Sequence, residues 1–261
     1  MDLGIDGKVA LVTAASRGLG RACATMLASE GMHVAVAARD ATALTQLVKE
    51  IEAGGGQALA LPSDIGDLDA PTALVDAVLE RWGRLDALVV STPGPPSMRC
   101  VDVTDQAWHD AMEMNCVVPI RLTRAALPAM RAAGGGRIVY IGTIGVRTAQ
   151  PDMVLSNASR LALMGYAKTL SLEVAPDNIL VNMVAPGPLA TERMDELARQ
   201  TADRLGIGEA EAMSRWIDEV PLRRMGRAED CASIVALLVS DACAYTTGAV
   251  VPVDGGKATT Y

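Results

Sequence analysis

The sequence predicts a doubly wound α/β fold, a parallel sheet with helices on both faces, in one domain over residues 1–261. Three observations predict it. Short apolar runs alternate with longer stretches of helical periodicity along the whole chain, the pattern of buried strands and their covering helices. The first run, within K-V-A-L-V-T, passes directly into A-A-S-R-G-L-G, a glycine-marked turn that opens a helix. With 261 residues, half of them hydrophobic, and no internal repeat or low-complexity tract, the chain can bury one large core.

Val9 to Val12 form the first strand, and the first helix is expected from about Gly18 to Ser29, ended by Gly31. The start of that helix offers free N–H groups and the positive end of the helix dipole, and Gly18 and Gly20 let a ligand approach the backbone. The guest that fits is a phosphate. Its place after the first strand of an alternating series marks a nucleotide loop, which assigns Thr13, Ser16, Arg17, Gly18, Leu19 and Gly20 to the cofactor. The second strand, His33–Ala38, is followed by Arg39, not by the acidic residue that would bond adenosine ribose hydroxyls. Arg39 and Arg17 then offer two guanidinium groups to a 2′-phosphate, which favours NADP(H) over NAD(H). The alternative is a pair of solvated arginines matched with Asp40 or Glu30.

The second helix reads over Ala41–Ala53, stopped by three glycines from Gly54, and Gln57–Leu61 is the third strand. Asp64 and Ile65 leave the sheet at its carboxyl edge, where such folds bind ligands. Asp64 either accepts from an adenine amino group or serves an ordinary helix start. Ala70–Trp82 is the third helix and Leu85–Val90 the fourth strand. The loop Ser91-Thr92-Pro93-Gly94-Pro95-Pro96-Ser97 then walls the cleft, with Gly94 near the ribose. One long helix is expected from about Asp105 to Ala132, with Pro119 and Pro128 as points of kinking. Its Asn115, flanked by Met114, Cys116 and Val117, is a structural tie or a site residue that holds water.

Strand five, Arg137–Ile141, precedes Gly142-Thr143-Ile144-Gly145, and a helix from about Met153 to Ala175 places Ser156 and Arg160 one turn apart on one face. Strand six, Asn178–Val184, ends at the Pro186–Thr191 turn over the cleft. Residues 187–222 read as an irregular substrate lid, or a plain connecting excursion, interrupted by Gly206 and Gly208. A last helix, Arg227–Ser240, and a last strand, Ala249–Val253, close at Asp254-Gly255-Gly256.

A formal charge of −8 without a basic run argues against nucleic acid or an anionic membrane surface as partner. Cys23, Cys100, Cys116, Cys231 and Cys243 lie far apart with no C-x-x-C pair and no zinc spacing, so they read as buried thiols in a reducing compartment and no metal site is expected. No basic-apolar leader and no membrane-length apolar run occurs, and the expected location is the cytoplasm.

Six landmarks stand in a fixed order: the glycine loop, Asp64, Asn115, Thr143, the Pro186-Gly187 turn with Thr191, and the terminal V-D-G-G. In these the chain resembles the short-chain dehydrogenase/reductase family over essentially its whole length. It looks most like the branch similar to 3-oxoacyl-acyl-carrier-protein reductases whose members depart from the usual tetrad. The resemblance implies a seven-stranded parallel Rossmann sheet, a nicotinamide cofactor contacted also by Pro186, Gly187, Leu189 and Thr191, and a small carbonyl or secondary-alcohol substrate. It further implies a homodimer or homotetramer packed through the helices that carry Asn115 and Ser156.

The departures from that family are equally specific. The first glycine of T-G-x-x-x-G-x-G is Ala14, N-N-A-G is Ser91-Thr92-Pro93-Gly94, the serine is Thr143, and Y-x-x-x-K is Ser156-Asn157-Ala158-Ser159-Arg160. A serine hydroxyl is a far weaker acid than a phenol, and an arginine that stays charged relays no proton. Asn115, Thr143, Ser156 and Arg160 are therefore the catalytic candidates: donors that polarise a carbonyl or hold a carboxylate, with Asn115 and a water chain supplying the proton. Tyr140 and Tyr166 read as core or interface, and Lys168 as an outer-face residue. Two alternatives share the scaffold: a non-redox decarboxylase or dehalogenase-like enzyme, and a catalytically silent NADP(H)-binding protein.

Overall fold

A computed structural model describes residues 1–260. The first half of the chain runs β1 (Val9–Thr13), α1 (Gly18–Ser29), β2 (His33–Ala38), α2 (Ala41–Ala53), β3 (Gln57–Pro62), α3 (Ala70–Trp82), β4 (Ala87–Val90), α4 (Asp105–Met112) and α5 (Val118–Ala132). The second half runs β5 (Gly136–Ile141), α6 (Val154–Glu173), β6 (Ile179–Pro186), β7 (Leu189–Ala190), α7 (Glu192–Leu205), α8 (Glu209–Asp218), β8 (Gly226–Arg227), α9 (Ala228–Val239) and β9 (Val250–Val253).

Alternation along the strands builds two cores. Val9 and Leu11 of β1 face one side and pack with residues of α3, α5 and α6, whereas Ala10 and Val12 face the other and pack with α1, α2 and α9. The seven long strands form one parallel sheet in the order β3-β2-β1-β4-β5-β6-β9, the Rossmann arrangement expected. Because the chain turns outward in opposite directions from β1 and β4, the loops after these neighbours diverge and leave a crevice at the carboxyl edge. Among the described residues, no helix is long and apolar enough to cross a membrane.

The helix expected from Asp105 to Ala132 is interrupted. A π turn, Glu113–Val117, separates α4 from α5, and the Val118 amide donates back to the Glu113 carbonyl. Pro119, which has no N–H, sits in the first turn of α5, where that loss costs little. The long helix is therefore reset at Asn115, while Pro128 remains inside α5. The lid expected to be irregular is more ordered than its composition suggests: α7 buries Leu197, Ala198 and Ala202, Gly206 ends it in a left-handed conformation, and Gly208 begins α8. β4 starts two residues later than the apolar run implied. Of the five cysteines expected to be buried, Cys23, Cys116 and Cys231 are, whereas Cys100, in the loop before α4, is exposed and Cys243, after α9, is half-buried.

Candidate functional site

The crevice opens into a cavity of about 1320 Å³ that runs along the carboxyl edge from the glycine loop to the lid. At the glycine-loop end the site is made of backbone. Arg17 is the N-cap of α1 but its side chain caps nothing, and no acidic residue lies in the first helical turn. The first amides of α1 thus have no side-chain acceptor, the condition in which a helix start binds an anion. A Cβ at Gly20 would lie 2.4 Å from the Ala14 carbonyl oxygen, so only glycine lets α1 start this close beneath β1. Ala14 itself is held at φ 49°, a left-handed conformation that costs a side-chain-bearing residue about 1 kcal/mol. Uncapped amides over a glycine-packed turn fit a dinucleotide pyrophosphate.

The residues assigned to the cofactor from the sequence fall into two groups. Ser16, Arg17, Gly18, Leu19, Gly20, Arg39, Asp64, Ile65, Gly94, Pro186, Gly187, Leu189 and Thr191 all line the cavity. Thr13 does not. It is fully buried, donates to the Ser91 carbonyl at 2.7 Å and accepts from the Ser91 amide at 3.0 Å, so its hydroxyl pins β1 to the end of β4. Arg17 pairs with Glu196 of α7 at 3.1 Å, a partner far along the chain from Asp40 and Glu30. Arg39 is largely exposed and lies 3.8 Å from Asp64, whose other oxygen accepts from the Gly66 amide.

The opposite end is made of side chains. Thr143, Ser156 and Arg160 line the cavity together, and the Ser156 hydroxyl has no hydrogen-bond partner among the described residues. Thr143 accepts from the Gly145 amide at 3.2 Å, which leaves its own hydroxyl proton free. Arg160 is buried; it donates to the Ile141 carbonyl at 2.6 Å and to the Thr92 hydroxyl at 3.4 Å. Thr92 in turn donates to the Asn115 side chain at 2.9 Å. Burial, and secondarily the nearby charge of Arg193, lower Arg160 to about 10, so it remains a cation at neutral pH.

Asn115 does not reach the cavity surface. Its amide donates to the Ala111 carbonyl at 3.3 Å and its oxygen takes the Thr92 proton, so its side chain ties the π turn to the β4 loop. Among the described residues, no tyrosine, histidine or cysteine lines the cavity. Tyr140 is fully buried, shares a 2.6 Å hydrogen bond with Thr123, and is pushed far above its ordinary pKa by burial. Tyr166, on α6, is partly buried against the core, and Lys168 donates to the Gly248 carbonyl on the outer side.

Arg193 is a site residue that sequence reasoning missed. From the first turn of α7 it reaches across the cleft to the Pro95 carbonyl at 2.5 Å, and a Cβ on Gly94 would sit 3.0 Å from its Nε. Glu196, one turn on, lies 3.4 Å from Arg193 and also holds Arg17, so α7 is strapped to both loops of the crevice.

A family model described as Enoyl-(Acyl carrier protein) reductase matches residues 13–258. The human protein named Dehydrogenase/reductase SDR family member 4 is 34% identical over 253 residues, covering 97% of this chain and 88% of its own length. L-sorbose reductase from Gluconobacter frateurii, solved with NADPH and L-sorbose, superposes with a TM-score of 0.94 at 31% identity over 100% of both chains. An actinorhodin polyketide ketoreductase variant solved with NADPH has a TM-score of 0.93 at 32% identity, over 97% of this chain and 98% of its own.

Proposed function

The chain belongs to the short-chain dehydrogenase/reductase family, and from that premise we propose that it is an NADP(H)-dependent oxidoreductase interconverting a small carbonyl compound and its alcohol. Its place is in a branch near the 3-oxoacyl-acyl-carrier-protein reductases in which hydroxyl donors and a guanidinium replace the usual tyrosine and lysine. The observation that carries this reading is the uncapped start of α1, packed on Gly20, opening onto the same cavity as Thr143, Ser156 and Arg160. NADPH in both reductases of similar structure supports the cofactor.

When bound, the nicotinamide gives up or accepts the hydride. The amides of α1 would hold the pyrophosphate, and Arg17, now paired with Glu196, and Arg39 would hold the 2′-phosphate. Gly94, Pro186, Gly187, Leu189 and Thr191, which line the cavity, would hold the nicotinamide end. Thr143 and Ser156 donate hydrogen bonds to the substrate carbonyl oxygen, and the Arg160 charge stabilises the anion that develops there. With no titratable phenol in the cavity, that oxygen takes its proton from water, and Asn115 acts on the site only through Thr92. Leu161 and Leu172, exposed on one face of α6, support assembly as a homodimer or homotetramer, and five unpaired cysteines support a cytoplasmic, reducing setting.

The test is NADPH oxidation by the purified protein across a broad panel of aldehydes and ketones. Turnover of a subset, slower with NADH, is expected. Tight NADPH binding with no oxidation on any member of the panel would contradict the reading and favour a silent binding protein.

A further inference from the structure

We propose that Glu196 of α7 sets how strongly the protein tells NADPH from NADH: it competes with the 2′-phosphate for Arg17, so that NADPH, and not NADH, frees α7 from the glycine loop. The inference rests on the NADP(H) reading above and identifies a residue that tunes it.

Arg17 is exposed at the start of α1, caps nothing, and has Glu196 as its one acidic partner among the described residues, at 3.1 Å across 179 positions of chain. The two elements meet closely there. A Cβ on Gly18 would lie 3.7 Å from a Glu192 carboxylate oxygen and 4.0 Å from the Thr191 Cβ, so the first turn of α7 rests over the glycine turn. Arg17, Gly18, Thr191, Glu192 and Glu196 all line the same cavity. Glu196 divides its carboxylate, one oxygen facing Arg17 and the other facing Arg193 at 3.4 Å.

The second guanidinium at this end is held differently. Arg39 lies 3.8 Å from Asp64, but Asp64 stands at the edge of the sheet and its other oxygen accepts from the Gly66 amide, so this acid belongs to the fixed wall of the cleft. Glu196 stands on a helix that has other attachments: Arg193 donates to the Pro95 carbonyl at 2.5 Å, and Arg204 pairs with Asp152 at 3.0 Å. Loss of the Arg17 contact therefore unfastens the first turn of α7 from the glycine loop and leaves the helix tied at two further places.

Charge decides which anion Arg17 keeps. An exposed carboxylate pair shifts an equilibrium by no more than about fivefold, whereas a phosphate monoester carries nearly two charges and three acceptor oxygens. Seating both on one guanidinium sets like charges against each other. The 2′-phosphate therefore takes Arg17, and Glu196 stays with Arg193. NADH has no such group and leaves the Arg17–Glu196 pair in place.

The experiment titrates the native protein, Glu196→Gln, Arg17→Ala and the double variant calorimetrically with NADPH and with NADH, and follows hydrogen exchange over α7 in the two coenzyme complexes. Glu196→Gln is expected to bind NADPH about fivefold more tightly and NADH within about twofold of the native value, and the gain is expected to vanish when Arg17→Ala is also present. In the native protein the amides in the first half of α7 are expected to exchange faster with NADPH bound than with NADH bound, and equally in the two complexes of Glu196→Gln. An affinity of Glu196→Gln for NADPH that is unchanged or weaker, an equal gain for NADH, a gain that survives Arg17→Ala, or native exchange that is the same in both complexes overturns the proposal and leaves the NADP(H) reading standing. Failure of all four proteins to bind either coenzyme overturns both.

Discussion

The two ends of the cleft are built from different materials. At the glycine loop the groups open to an anion are mostly main chain: uncapped amides of α1 held beneath β1 by the absence of a side chain at Gly20. At the reaction end, Thr143, Ser156 and Arg160 present side chains from the segment after β5 and from α6, with Ser156 and Arg160 four positions apart. A backbone site hangs on a few packing positions and is indifferent to the rest, which is why Ala14 is tolerated in a left-handed turn. A side-chain site can be re-specified by exchanging two residues on successive turns of one helix while the fold and the cofactor crevice stay as they are.

Breaking the backbone end should have the largest effect. In Gly20→Ala the new methyl group meets the Ala14 carbonyl at 2.4 Å, backbone against backbone, so α1 must lift from β1. Loss of NADPH binding by calorimetry and a destabilisation of about 2 kcal/mol in denaturant are expected. Re-specifying the side-chain end comes next. Ser156→Tyr with Arg160→Lys supplies a general acid, and reduction of a neutral ketone should rise about a hundredfold. The pH profile should change with it. Arg160, lowered to about 10, keeps its charge through the neutral range, so the native rate should be flat there and decline only as pH rises towards that value. The double variant should instead lose activity as pH rises through the pKa of the new phenol, since only the protonated form donates.

Two smaller effects separate the ends further. Arg17→Ala should weaken NADPH about tenfold and leave NADH unchanged, because the lost contact is to the 2′-phosphate alone. Ala14→Gly, which relieves the φ of 49°, should stabilise the protein by about 1 kcal/mol and raise its melting temperature by a few degrees.

The contrast also governs what the sequence disclosed. The strands and the glycine loop were legible because apolar runs bounded by glycines leave a compositional trace, and the residues of the turn after β6 came with them into the cavity. The sequence assigns Thr13 to the cofactor by its place in the glycine loop and leaves Asn115 as a structural tie or a site residue that holds water; in the structure their side chains bond Ser91, Thr92 and Ala111. A polar side chain in a buried segment looks the same whether it serves a ligand or a neighbouring loop. The π turn at Glu113–Val117 shifts one hydrogen-bond register and changes no composition, so the sequence suggested an unbroken helix with proline kinks. Arg193 escaped notice because its contact with Pro95 joins residues 98 apart and depends on how the lid docks.

The most direct test is calorimetric titration of the unmodified protein with NADPH and with NADH. Binding of NADPH at least about tenfold tighter than NADH is expected from the uncapped helix start and the two guanidinium groups at its rim. Failure to bind either coenzyme, or equal affinity for both, would contradict a 2′-phosphate seated between Arg17 and Arg39.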